Sequence, residues 1–139
     1  MKRIIFASVI LISFIALDSC KKYEEGPALS LRSKKARVAN TWKVEQYLFN
    51  GSDQTSFFNS VLPNYREVYD KDGNYSFSYD SNSGSGRWEF QNDNLEIKRS
   101  GVSSQSSEVL YILKLKEKEF WYYVMDGSDR EEVHLIPAE

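Results

Sequence analysis

Few side chains in this sequence are equipped for covalent or metal chemistry. Cys20 is the only cysteine and His134 the only histidine, and they stand near opposite ends of the chain. An activated nucleophile needs a base within hydrogen-bond reach and a third group to orient that base. No Ser-His-Asp or Cys-His arrangement can be defended here. Zinc takes three or four ligands drawn from Cys, His and carboxylates, and the first two types are nearly absent. A lone histidine near a C-terminal strand is expected to be exposed or satisfied in place. A single cysteine cannot close an internal disulfide.

Oxygen ligands suit calcium better. Asp70-Lys71-Asp72-Gly73-Asn74 begins like a calcium-binding loop, but Ser81 stands where the closing glutamate belongs. Asp126, Asp129, Glu131 and Glu132 form a second acidic cluster. Both stretches read as hairpin turns, where Asp, Asn and Gly supply local hydrogen bonds and positive φ. Glu45, Glu67 and Glu89 are the carboxylates that could face a common interior and act as acid and base. Spacing along the chain does not give separation in space, and on strands these residues fall on the outer polar face. No catalytic residue, metal or cofactor is therefore expected, and the chain does not read as an enzyme.

The aromatic residues are the informative group. They make up 14% of the chain, high for this length, and they recur at a period of two. Trp42, Tyr65, Tyr69, Tyr75, Phe77, Tyr79, Trp88, Phe90, Tyr111, Phe120 and Tyr122 each fall on one face of an alternating run. Most are expected to fill a core, because small barrels are just wide enough for side chains. The subset Trp42, Tyr75, Phe77, Tyr79, Trp88, Tyr111 and Tyr122 could instead line a cup for a small ligand, with phenol hydroxyls to orient it.

The elements that must hold these rings are short strands. Thr41 opens an alternating run with Trp42, Val44, Gln46 and Leu48 on one side. Phe57, Phe58, Val61 and Leu62 cluster before Pro63, as in a helical lid or packed loop. Runs with strand character follow at Tyr65–Tyr69, Asn74–Tyr79, Arg87–Gln91 and Leu95–Arg99, then around Val109–Leu115, Phe120–Val124 and Val133–Leu135. Residues 80–86 read as a flexible Ser/Gly loop and 100–107 as a polar Ser-rich segment. Turn signals separate the runs, and none of the long helices of βαβ units intervenes. The expectation is an all-β fold, an antiparallel up-and-down meander of about eight strands forming a closed or partly open barrel. A short N-terminal helix precedes it, with Leu31, Lys35 and Val38 at helical spacing. Its basic residues Arg32, Lys34, Lys35 and Arg37 read as a solvated face. The formal net charge of −2 gives no basic field suited to nucleic acid.

Ahead of this domain lies an export segment. Lys2 and Arg3 precede an uncharged apolar run from Ile4 to Leu17, the layout of a secretory signal, and Asp18 ends the run short of a membrane-spanning length. Leu17-Asp18-Ser19-Cys20 resembles the bacterial lipobox, with Leu17, Ser19 and Cys20 matching and Asp18 departing from it. The resemblance implies cleavage before Cys20, a diacylglycerol thioether on its sulfur and acylation of its new amine. Two or more chains give stable anchoring, because each buried methylene contributes about 0.8 kcal/mol. Residues 1–19 are thus expected to be a cleaved signal peptide, 20–29 a lipidated tether and 30–139 the folded domain.

Within that domain, Ser30 to Lys34, Thr41-Trp42-Lys43, Asp70 to Tyr75 and Gly86-Arg87-Trp88 resemble the lipocalin-like lipoproteins of the Bacteroidetes, with Asn40 standing where lipocalins have the Gly of their Gly-x-Trp motif. The resemblance covers nearly all of the mature chain, and this group is mostly uncharacterised. It implies a lipocalin-like barrel and a place in the cell envelope, at the outer membrane on its periplasmic or external face. The expected function is non-enzymatic binding of a small hydrophobic or amphipathic ligand. The alternative is a structural or interaction module accessory to an outer-membrane complex.

Overall fold

The computed structural model describes residues 32–101 and 107–139. The expected signal peptide 1–19, the tether 20–29 and Cys20 lie outside them. Helix α1 (Lys34–Val38) leads into strand β1 (Asn40–Phe49), followed by β2 (Ser52–Asp53) and helix α2 (Thr55–Val61). Then come β3 (Arg66–Tyr69), β4 (Asn74–Tyr79), β5 (Asn82–Gln91), β6 (Glu96–Ser100), β7 (Ser107–Leu115), β8 (Phe120–Asp126) and β9 (Asp129–Pro137). All pairings are antiparallel, and each strand from β3 onward pairs with the next in sequence. β9 returns to β1, from Trp42 opposite Pro137 to Phe49 opposite Glu131. The result is a closed eight-stranded up-and-down barrel with β2 as one extra strand. Closure removes the long free edges that would invite strand addition.

One side of β1 is shared. Its first half, Asn40–Lys43, pairs with β3, while Leu48 and Phe49 pair with β2 through the two-residue turn Asn50-Gly51. Both turn residues have positive φ, 48° and 81°, as a type I′ hairpin requires. Between these two partners the barrel wall is interrupted, and α2 is placed there. Asp53 anchors the helix by accepting from the backbone N–H of Thr55 (2.9 Å) and from its hydroxyl (2.6 Å).

Three strands depart from the alternation read in the sequence. Residues 82–86, expected in a flexible loop, belong to β5. Their small side chains are a packing requirement: a Cβ on Gly84 would lie 2.5 Å from the Phe77 ring, and one on Gly86 would lie 2.2 Å from the Ser100 carbonyl oxygen. In β1 the register slips between Val44 and Gln46, so Tyr47 faces inward and Gln46 outward, opposite to the unbroken alternation. In β7 a bulge lies between Ile112 and Lys114. Leu110 and Ile112 are buried before it and Leu115 after it, so the inward phase expected through Val109, Tyr111 and Leu113 is reversed. One extra residue flips every later side chain to the other face.

The end of the barrel under α1 is filled by apolar side chains. Val38, Trp42, Ile97, Leu110, Leu115, Phe120 and Leu135 are all fully buried. Trp42 stands edge-on to Phe120, with ring centroids 5.9 Å apart, and its indole N–H donates to the Val38 carbonyl at 2.8 Å. Arg37, expected on a solvated face, is instead buried, and its guanidinium donates to the Leu115 carbonyl at 2.7 Å. The helix thus plugs the barrel with an apolar side chain and satisfies a strand-end carbonyl at the same time.

Candidate functional site

The middle of the barrel holds a charge. Glu67 lies on β3, opposite Trp42 on one neighbour and Phe77 on the other, and its side chain is only 1% exposed. Sequence reading put it on the outer polar face with Glu45 and Glu89. Those two are exposed, but Glu67 shares the parity of Tyr65 and Tyr69 and turns inward with them. Its Oε1 accepts from the hydroxyls of Tyr65 (3.0 Å) and Tyr122 (2.7 Å) and from Arg99 Nη1 (3.1 Å). Its Oε2 accepts from the Tyr69 hydroxyl at 2.7 Å. Three strands, β3, β6 and β8, together with Tyr65 just ahead of β3, therefore converge on one carboxylate through residues whose direction is set by parity.

Arg99 answers it from β6. Its Nη1 also donates to the hydroxyls of Tyr69 (3.1 Å) and Tyr75 (2.9 Å), and its Nε and Nη2 both donate to Oε2 of Glu108 on β7. The guanidinium lies 4.7 Å from the centre of the Tyr75 ring, a cation–π distance. Burial opposes its charge, but Tyr69 and Glu67 beside it hold the proton firmly on. Burial pushes the phenols of Tyr65, Tyr75 and Tyr122 far above their ordinary range, and the Glu67 charge pushes them further. The network is thus a fixed ion pair wrapped in neutral phenols, with every hydrogen-bonding group engaged, as burial demands.

Above this floor lies a cavity of about 200 Å³. Tyr47, Phe58, Leu62, Tyr65 and Val133 form much of its wall, with Glu67, Arg99, Glu108, Tyr122 and Glu131 also reaching it. Phe58 of α2 covers it, 4.9 Å from the Tyr47 ring and 5.4 Å from the Tyr65 ring. The Tyr47 hydroxyl donates to Glu131 at 3.0 Å. Partial burial first, and then this carboxylate, raise the Tyr47 phenol to about 12.

The candidate ligand residues read from the sequence separate in space. Tyr122 reaches the cavity. Tyr75, at 3% exposure, lies beneath it as a partner of Arg99. Phe77 and Tyr79 stack near-parallel, with centroids 6.2 Å apart, beside Tyr65. Trp42 belongs to the apolar end. Trp88 is buried, and its indole N–H ties the β3–β4 turn by donating to the Asp70 carbonyl at 3.0 Å. Tyr111 is on the outer wall, stacked on Tyr123 at 4.8 Å, because its neighbours Leu110 and Ile112 take the inward positions and the later bulge brings Leu115 back inside. Glu67, Arg99, Glu108 and Tyr47 were not singled out as binding residues. The period-two parity of Tyr65-x-Glu67-x-Tyr69 carried the signal for the first. No local pattern marks Arg99 as the partner of a residue 32 positions away.

The remaining chemical candidates are engaged locally. The Asp70 carboxylate accepts from the backbone N–H groups of Asp72 (2.9 Å) and Asn74 (2.8 Å), so this stretch is the hairpin turn its composition suggested. His134 lies on the outer wall, stacked on Trp121 with centroids 3.9 Å apart and 2.8 Å from Glu132. Among the described residues, no group of three His, Cys, Asp or Glu side chains is placed to hold a metal ion. Compared with known proteins, the chain matches no family model and no curated protein sequence.

Proposed function

We propose that this protein is an exported, lipid-anchored binding module of the cell envelope. Its barrel holds a small amphipathic molecule in the cup beneath α2, and Cys20 carries the anchor. The observation that carries this reading is the asymmetry of the interior. One end is filled by fully buried apolar side chains, while the other keeps a cavity of about 200 Å³ over a buried ion pair, roofed by a short helix in a gap of the wall. Barrels of this size commonly hold either packed side chains or one small ligand, and mixed apolar and polar linings suit such a ligand. The role is binding rather than catalysis: the floor's carboxylate and guanidinium are bonded to each other and to phenols.

The alternative, an interaction module within an outer-membrane complex, draws on α2 itself. Phe57 and Val61, one helical turn apart, are 64% and 54% exposed. Native mass spectrometry of residues 21–139, before and after incubation with envelope lipid extract, tests the choice. A reproducible bound mass supports the cup. A clean unliganded mass under both conditions removes it and turns attention to partners recovered from membranes after mild detergent extraction.

A further inference from the structure

The hydrogen-bonding sense of the cup narrows what can enter it. Three phenols line the cavity, and each directs its only proton at a carboxylate: Tyr47 at Glu131, Tyr65 and Tyr122 at Glu67. The one cationic group in the lining, Arg99, directs its nitrogens at Glu67, Glu108, Tyr69 and Tyr75. Donors are therefore engaged. What the lining still offers is acceptor capacity, since a hydroxyl has two lone pairs and a carboxylate about four. Among the described residues Glu131 meets Tyr47 through one oxygen, and Glu108 meets Arg99 through one. The lining also carries three carboxylates, Glu67, Glu108 and Glu131, against the single guanidinium. An anionic ligand would face uncompensated repulsion and lone pairs without protons. The faces of Tyr47, Phe58 and Tyr65 complete the lining, and aromatic faces attract cations.

Resting on the binding reading above, we infer that the cup takes a small organic ammonium ion, with its charged nitrogen toward Glu108 and Glu131 and its carbon part against Phe58, Leu62 and Val133. Size sets the scale. Liquid water occupies about 30 Å³ per molecule, so the cavity has room for roughly six or seven non-hydrogen atoms.

The test is thermal unfolding of the full-length chain, purified in detergent and followed by intrinsic fluorescence. Butylammonium chloride, sodium butanoate and butan-1-ol are titrated separately at matched ionic strength. A saturable rise of the midpoint with butylammonium alone is expected, since a ligand that binds only the folded state stabilises it. In Glu131→Gln the apparent Kd for butylammonium should rise about fivefold, the scale of one partly exposed ion pair. Equal or greater stabilisation by butanoate or butanol overturns the cation assignment while leaving a binding cup. An unchanged Kd in Glu131→Gln places the amine elsewhere and overturns the site. No stabilisation by any of the three removes both the ammonium ion and the cup.

Discussion

The two ends of this barrel are built from the same strands and differ in what their side chains need. Under α1, seven fully buried apolar residues from six elements, Trp42 among them, fill the interior, and the buried charge there, Arg37, donates to the Leu115 carbonyl. Under α2, phenols, carboxylates and a guanidinium share the space with a cavity. The apolar end gains from area removed from water, about 25 cal/mol per Å², and tolerates no gap. The polar end is held by direction, because each buried hydroxyl must find its acceptor. Its ion pair is weak evidence for stability in itself, since desolvation offsets attraction. The difference suggests a division of labour: one end secures the fold, and the other keeps a shaped, polar space open.

The largest way to separate the ends is alkaline pH. Tyr65, Tyr69, Tyr75 and Tyr122 all have folded-state values raised above the ordinary phenol range. Below about pH 10 both folded and unfolded chains keep these protons, and the hydrogen bonds to Glu67 are complete. As pH rises past that point the unfolded chain ionises first, so stability falls, by at most about 1.4 kcal/mol per pH unit for each such phenol. Urea unfolding between pH 8 and 11, with tyrosinate absorbance recorded in parallel, should show a steep loss beginning near pH 10. A flat profile would contradict the interior placement of the phenols.

Truncation gives the next effect. Trp42→Ala in the apolar end should cost about 3–5 kcal/mol, the range for burying a cavity that neighbours cannot fill. Phe58→Ala over the cup should cost about 1 kcal/mol, because the ring is only partly buried and already borders open space. Equal costs in urea unfolding would erase the contrast.

The smallest effect belongs to the mounting of the roof. Hydrogen bonds from Thr55 and then from Gln46 hold the Asp53 carboxylate down at about 2. Its folded-state value is depressed, so its contribution is present above about pH 4 and is lost as pH falls through 2. Asp53→Asn should therefore leave the global midpoint nearly unchanged at neutral pH while speeding hydrogen exchange at the α2 amides. Unaltered exchange there would mean that α2 is held by Phe58 and not by its first turn.

Much of the architecture follows from local pattern alone. The period-two aromatics, the turn residues at Asn50-Gly51 and Asp70–Gly73, and the absence of long helical segments lead directly to an antiparallel up-and-down barrel. The eight barrel strands lie close to where alternation puts them. Parity even contains the inward direction of Glu67, since it shares a face with Tyr65 and Tyr69. Three things were left to the tertiary structure. The bulge in β1 reverses the face of Tyr47 and the one in β7 breaks the alternation between Tyr111 and Leu115, because a single unpaired residue arises from the fit between neighbouring strands and has no sequence signature of its own. The Ser/Gly run at 82–86 is strand rather than loop because Phe77 and Ser100 occupy the space its side chains would need. The pairing of Glu67 with Arg99 joins residues far apart in the chain, and only closure of the barrel brings them within 3.1 Å. Alternation fixes which way a side chain points. Which other side chain it meets, and whether a cavity remains between them, depends on how the whole sheet curls and closes.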